Sequence, residues 1–284
     1  MAELLKGAPA AKAMTEALRA EADELRAHGV MPCLALLRVG EKEADLAYER
    51  GALRRCEQVG IAVQRVVLPT DAPQSTLLAE LSALSANPGI HGILPLRPLP
   101  AHFDDAAVCA AIAPAKDVEG VSPVSMASVY AGVPGTGFPT CTAEACLALL
   151  HHYRIPLRGK RALVIGRSLV IGRPVSLLLL SADATVSIAH TKTQDLPALC
   201  HEADILIVAT GQEGLIGAEH VRPGHVVVDV GIHAAADGTL SGDVRFAEVE
   251  PIVDAITPVP GGVGAMTTAV LAAHVIAAAK HTVL

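Results

Sequence analysis

Hydrophobic and polar positions along this chain follow two alternating rhythms. Residues 9 to 28 keep their charges on one face, which predicts a helix. "PCLALLRVG" (32–40) is a continuous apolar run stopped by a glycine, the pattern of a buried parallel strand. An amphipathic helix is predicted over 42 to 59, then an alternating strand, "IAVQRVVLP", and a helix, "QSTLLAELSALSAN". "IHGILPL" is the next strand, and "PLPAHFDDAAVCAAI" a loop and helix. Strands alternating with helices in this order imply an α/β fold with a parallel sheet.

A second cycle begins near residue 140. "TAEACLALLHHY" is a helix with Thr142 as its cap, and "KRALVIG" a strand. "RPVSLLLLSA", "ATVSIAH", "TQDLPALCHEA" and "DILIVATG" continue the alternation. "HVVVDVGI" is a further strand, and "AMTTAVLAAHVIAAAKH" a long final helix. Between the cycles, "YAGVPGTGFPT" (130–140) is rich in glycine and proline and marks the domain boundary.

Composition narrows the possibilities. The chain has 284 residues, enough for two ordinary domains, and its 51% hydrophobic content supports a substantial core. Aromatics are only 2% and the net charge is −7 with no basic block, which argues against a nucleic-acid partner. No apolar run is long enough for a membrane span, and no N-terminal signal is visible. The six cysteines lack CxxC or paired spacing and read as buried small hydrophobes in a reducing, cytoplasmic setting.

The clearest candidate for chemistry is "ALVIGRSLVIGRP" (162–174), a strand, a tight turn and a helix start. Gly166 makes the turn and Gly172 lets the helix approach the sheet, so helix N-terminal amides face a pyrophosphate. The strict dinucleotide fingerprint is not met. Ser168 stands where the second glycine belongs, and the third glycine is one place late. Alone, the turn fits either a dinucleotide site or an ordinary strand–helix connection. The next strand ends in His190, Thr191 and Lys192 with no carboxylate for a ribose 2′-hydroxyl, and Arg167 suits a 2′-phosphate or a solvated loop charge. Both features favour NADP over NAD.

Other patterns exclude more than they suggest. Asp117 and Glu119 are spaced like a carboxylate pair, but no further ligands adjoin them, so no metal site is expected. The twelve histidines form no HxxxH or HxH, His91 reads as a satisfied strand-edge residue, and Asp229 as structural or near a nicotinamide. Neither a serine-hydrolase elbow nor a P-loop occurs.

Taken together, "GRSLVIGRP", "HTKT", "ADILIVATG", "VVVDVGI", "GDV" and "ITPVPGGVGAMT" closely resemble the bifunctional methylenetetrahydrofolate dehydrogenase/cyclohydrolase family. "LKG", "LRVG", "CEQVGI", "HGIL…PLP" and "KDVEG" extend the likeness, more loosely, into the N-terminal half. The resemblance implies a substrate domain (1–139 and 266–284), a Rossmann-type NADP domain (140–265), a cleft between them, and a homodimer. It implies cofactor contacts at Gly166, Arg167, Ser168, Ile171, Thr191 and Ile232. It implies substrate contacts at Tyr48, Leu96, Glu119, Pro260, Gly261 and Gly262, with Tyr48 in the catalytic set.

The chain departs from the family in its substrate half. The family places a catalytic lysine four residues after the tyrosine, and here that position is Ala52. Arg50, Arg54 and Arg55 lie at the wrong spacing from Tyr48 to replace it. Leu96 stands for a glutamine that supports the lysine, and Glu119 for an aspartate that meets the pterin. Thr140 and Ala143 alter "PCTP" to "TCTA". Arg97, next to Leu96 on a strand, is expected to face away from the site. These changes imply an NADP-dependent methylenetetrahydrofolate dehydrogenase whose cyclohydrolase activity is lost or very weak. Two alternatives stand beside it: a paralog acting on a different small molecule, and a non-catalytic NADP-binding partner subunit.

Overall fold

The computed structural model describes residues 1–133, 135–235 and 237–282. Along the chain come β1 (Glu3–Leu4), α1 (Gly7–Ala27), β2 (Cys33–Val39), α2 (Glu43–Val59), β3 (Ala62–Leu68), α3 (Gln74–Ala86) and β4 (Gly92–Pro95). Then follow α4 (Asp105–Ala110), α5 (Pro123–Ala131), α6 (Cys141–His152), β5 (Arg161–Ile165), α7 (Gly172–Ser181), β6 (Thr185–Ala189) and α8 (Leu196–Glu202). The last third holds β7 (Ile205–Val208), β8 (Val226–Asp229), β9 (His233–Ala234), β10 (Leu240–Ser241), α9 (Phe246–Val249), β11 (Ala255–Ile256) and α10 (Thr267–Lys280).

The chain forms two compact units. One comprises Lys12–Cys141 and Thr268–Leu284, the other Met1–Ala11 and Thr142–Thr267. In the first, a parallel sheet runs in the order β3-β2-β4. Central β2 is almost wholly buried, while edge strand β3 exposes much of its length, as the continuous and alternating apolar patterns require. Leu37, Leu77, Leu81, Ile93 and Ile112 lie in its core. Helix α2 stops at Gly60, whose left-handed backbone (φ 88°) lets its amide reach the carbonyls of Cys56 and Glu57.

The second unit has a six-stranded sheet in the order β1-β11-β8-β7-β5-β6, parallel throughout. Its central strands, "ILIV" and "VVVD", are short apolar runs buried on both faces. From β5 the chain first adds β6 on one side, then β7, β8 and β11 on the other. Strand order therefore reverses between β5 and β7, the topological switch point where open α/β sheets bind ligands.

Several details differ from the sequence expectation. Residues 1–11 belong with the second unit, because β1 pairs Glu3 with Ala255 and Leu4 with Ile256. Two residues are too few for a periodic signal. Helix α6 starts at Cys141, so Thr142 lies inside it instead of capping it. Strand β4 ends at Pro95, so strand alternation does not govern Arg97, which pairs with Asp105 (Nε–Oδ1 2.7 Å). No helix among the described residues is long and apolar enough to cross a membrane.

Candidate functional site

The turn after β5 is built by absent side chains. Gly166 has φ +131°, and a Cβ there would sit 2.1 Å from the carbonyl oxygen of Ala209, which follows β7. A Cβ on Gly172 would lie 2.3 Å from the Gly166 carbonyl oxygen. Both are far inside van der Waals contact, so only glycine lets α7 begin this close to the sheet. Sequence reasoning singled out both glycines; their partners are visible only in three dimensions.

Ser168 explains how the turn dispenses with a second glycine. Its Oγ accepts from the amides of Ile171 (3.1 Å) and Gly172 (3.4 Å), the first donors of α7. Arg167 is exposed beside them, and its carbonyl accepts from Arg173 Nε at 3.3 Å. After β6, Thr193 Oγ1 accepts from the His190 amide (2.9 Å) and His190 Nδ1 from the Lys192 amide (3.2 Å). That knot leaves Thr191 and Lys192 exposed. The positive end of α7 with the exposed Arg167 and Lys192 side chains suits a phosphorylated dinucleotide.

In the same unit, residues 229–232, Leu240 and the 258–265 loop enclose a cavity of about 310 Å³. It gathers Ile232, Pro260, Gly261 and Gly262, which the chain scatters over thirty positions. Asp229 is buried at its edge and accepts from the amides of Gly231, Asp243 and Val244. Burial pushes its carboxyl up to about 6 despite those bonds, and Asp243 adds to the rise. Asp243 in turn accepts from the Thr210 and Gly211 amides and pairs with His233 Nε2 at 2.7 Å. Asp243 and His233 were not anticipated from sequence, where nothing marks them as partners.

The other unit holds the remaining expected residues. Tyr48 is half-buried on α2, and Ala52, one turn on, is fully buried. Between them Glu49 is buried and ion-paired to Arg38 (2.8 Å) and Arg65 (2.5 Å). Arg50 pairs with Glu43, Arg54 is exposed, and Arg55 bonds Thr15, Gln58 and Thr268. Leu96 is buried, its amide donating to the Leu37 carbonyl at 2.8 Å. His91 is buried with its Nδ1 accepting from the Cys33 amide.

Asp117 and Glu119 do not act as a pair. Asp117 is an internal tie, accepting from the amides of Val121 and Ser122 and the hydroxyl of Ser125. Glu119 keeps Oε2 buried with no hydrogen-bond partner. Burial raises its carboxyl to about 7, against the lowering effects of the Cys141 thiol, His274 and Arg97. Among the described residues no cluster of three or more His, Cys, Asp or Glu is arranged to hold a metal ion.

Comparisons with known proteins agree with this geometry. Residues 5–119 match the tetrahydrofolate dehydrogenase/cyclohydrolase catalytic domain, and residues 140–283 match the same family's NAD(P)-binding domain. The chain is 45% identical over 282 residues to the bifunctional protein FolD of Carboxydothermus hydrogenoformans, covering 99% of this chain and 98% of that protein. The FolD methylenetetrahydrofolate dehydrogenase/cyclohydrolase of Campylobacter jejuni superposes with a TM-score of 0.96 at 38% identity, covering 99% of this chain and 100% of that one. The Trypanosoma brucei enzyme, solved with NADP cofactor and an inhibitor, gives 0.92 at 32% identity, covering 99% and 98%. The two units, the glycine-built turn at the switch point and these full-length matches together place the chain in the tetrahydrofolate dehydrogenase/cyclohydrolase family.

Proposed function

We propose that this chain oxidises methylenetetrahydrofolate to methenyltetrahydrofolate with NADP⁺, and that its cyclohydrolase activity is lost or very weak. The single observation that carries the reading is Ala52, a fully buried methyl group one turn from Tyr48. It stands where the resemblance puts a lysine, while the nucleotide turn keeps every glycine its geometry demands.

The two reactions ask for different groups. NADP⁺, when bound, supplies the hydride acceptor. For that reaction the protein has to align two carbons and exclude water, and the folate nitrogen lone pair provides the electronic push. The glycine-built turn after β5, with the exposed Arg167 guanidinium, would hold the dinucleotide, and the 258–265 loop and Ile232 would shape the wall beside it. Glu119 would present its open carboxylate oxygen to the donor edge of the pterin. Cyclohydrolase action adds water to the methenyl cation and then opens a ring. Its proton transfers need a positioned acid or base, and neither Ala52 nor Leu96 can hold a proton.

The unit of residues 12–141 and 268–284 is the substrate unit in this reading, and the other the cofactor unit. A cytoplasmic homodimer belongs to the same reading, and six free thiols suit a reducing compartment. The test is a turnover assay with methylenetetrahydrofolate and NADP⁺, run beside NAD⁺. NADPH should form while the methenyl product accumulates. Rapid conversion of supplied methenyltetrahydrofolate to the formyl compound would overturn the loss of hydrolysis. Tight NADP⁺ binding with no NADPH formed would overturn the dehydrogenase.

A further inference from the structure

Three elements converge on the backbone between Asp117 and Gly120. The Val118 carbonyl accepts from His274 Nδ1 on α10 at 2.7 Å and from the Cys141 thiol, at the start of α6, at 3.3 Å. The sulfur lies 3.7 Å from His274 Nδ1. Phe138 stacks on the imidazole with ring centroids 4.6 Å apart. Gly120, at φ +69°, lets the segment turn against the Phe138 and Pro139 carbonyls, which a Cβ would meet at 2.5 Å. Cys141 and His274 are both buried.

Simple packing does not call for this arrangement. A buried imidazole, thiol and carboxyl cost stability unless each is satisfied, and an apolar trio would fill the space without that cost. Yet Oε2 of Glu119 stays buried and without a hydrogen-bond partner. We propose that Cys141 and His274 are positioning residues that fix the orientation and the charge of Glu119, so that its open oxygen meets an N–H donor edge of the substrate ring. The inference rests on the folate reading for the identity of that ring, but not for the coupling itself.

The chemistry has a direction. A donor edge is held best by the ionised carboxylate, and a carboxyl near 7 is only partly ionised at neutral pH. The Cys141 side chain, His274 and Arg97 favour the ionised form, and Asp117 opposes it. Arg97 is itself engaged by Asp105. His274 on α10 and Cys141 on α6 are the two members that also bond the Val118 carbonyl beside Glu119.

The experiment is carbon-13 NMR of glutamate carboxyl groups in the full-length protein, with Glu119 assigned by Glu119→Gln. The Glu119 titration midpoint is read in the wild type, His274→Gln and Cys141→Ala. Either substitution should raise the midpoint by about half a pH unit or more, because each removes a group that favours the carboxylate. Tetrahydrofolate affinity, measured across the same pH range, should follow the midpoint while NADP⁺ affinity stays constant. A midpoint unmoved in both variants overturns the inference, even if their melting temperatures fall. Wild-type protein that binds no tetrahydrofolate overturns the folate reading instead. Two substitutions on different elements keep the test decisive if one of them fails to fold.

Discussion

The amide of Gly7 donates to the carbonyl of Gly261 at 2.8 Å, and a Cβ on Gly7 would sit 2.2 Å from the carbonyl oxygen of Gly262. The first residues of the chain thereby brace the loop that walls the 310 Å³ cavity. The brace is itself anchored, since β1 pairs with β11 and Tyr153 Oη donates to the Lys6 carbonyl at 2.9 Å. Gly7→Ala should push that loop away at a cost of about 1–3 kcal/mol. The expected outcome is a lower melting temperature and weaker NADP⁺ binding by calorimetry. Unchanged affinity would show that the loop does not depend on the brace.

Gly172→Ala tests the nucleotide turn directly. The added methyl would have to occupy space 2.3 Å from the Gly166 oxygen, so α7 must retreat from the sheet. NADP⁺ affinity should fall by at least about tenfold, because helix-terminal amides act only at close range. Titration of the folded variant checks this.

Arg167→Ala tests the choice between the two dinucleotides. A charge-assisted hydrogen bond to a 2′-phosphate contributes about 1.5–3 kcal/mol. Arg167→Ala should therefore weaken NADP⁺ by roughly 10- to 100-fold and leave NAD⁺ nearly unchanged. Equal losses for both would mean that Arg167 supports the turn without reading the phosphate.

Restoring a proton carrier tests the proposed loss of hydrolysis. Ala52 and Leu96 are both buried, so Ala52→Lys alone introduces a buried ammonium with no provided partner. Combined with Leu96→Gln it should produce hydrolysis of methenyltetrahydrofolate well above the parent chain. If the double variant folds, binds tetrahydrofolate and still shows no gain, the loss has another cause.

His225 should make the cofactor unit acid-sensitive. It is fully buried, and burial first, then the charges of Arg222 and His201, lower its pKa to about 4. Its Nε2 is buried without a hydrogen-bond partner. Between pH 6.5 and about 4 the unfolded chain binds a proton that the folded chain refuses, so stability falls as pH drops through that window. The contribution is on the order of 3 kcal/mol. Denaturant unfolding at several pH values should show this slope, and His225→Phe should flatten it.

Much of this was legible in the residue pattern. The apolar runs of β2, β7 and β8 marked buried parallel strands. The glycines of the nucleotide turn announced themselves by spacing, since a strand–turn–helix needs them within a few residues. Strands β1, β9, β10 and β11 passed unnoticed, because two-residue strands carry no period. Strand alternation gives no direction for Arg97, because β4 ends at Pro95 and the guanidinium is held by Asp105.

Sequence by itself determined the α/β alternation, the glycine turn after β5 and the absence of a lysine one turn after Tyr48, because each is a matter of residues near one another in the chain. Tertiary structure alone decided which distant groups meet. Gly166 lies against Ala209, Gly7 braces Gly262, and Cys141 and His274 meet at the Val118 carbonyl. Those contacts depend on strand order and on helices brought together from distant parts of the chain, and neither leaves a trace in local periodicity.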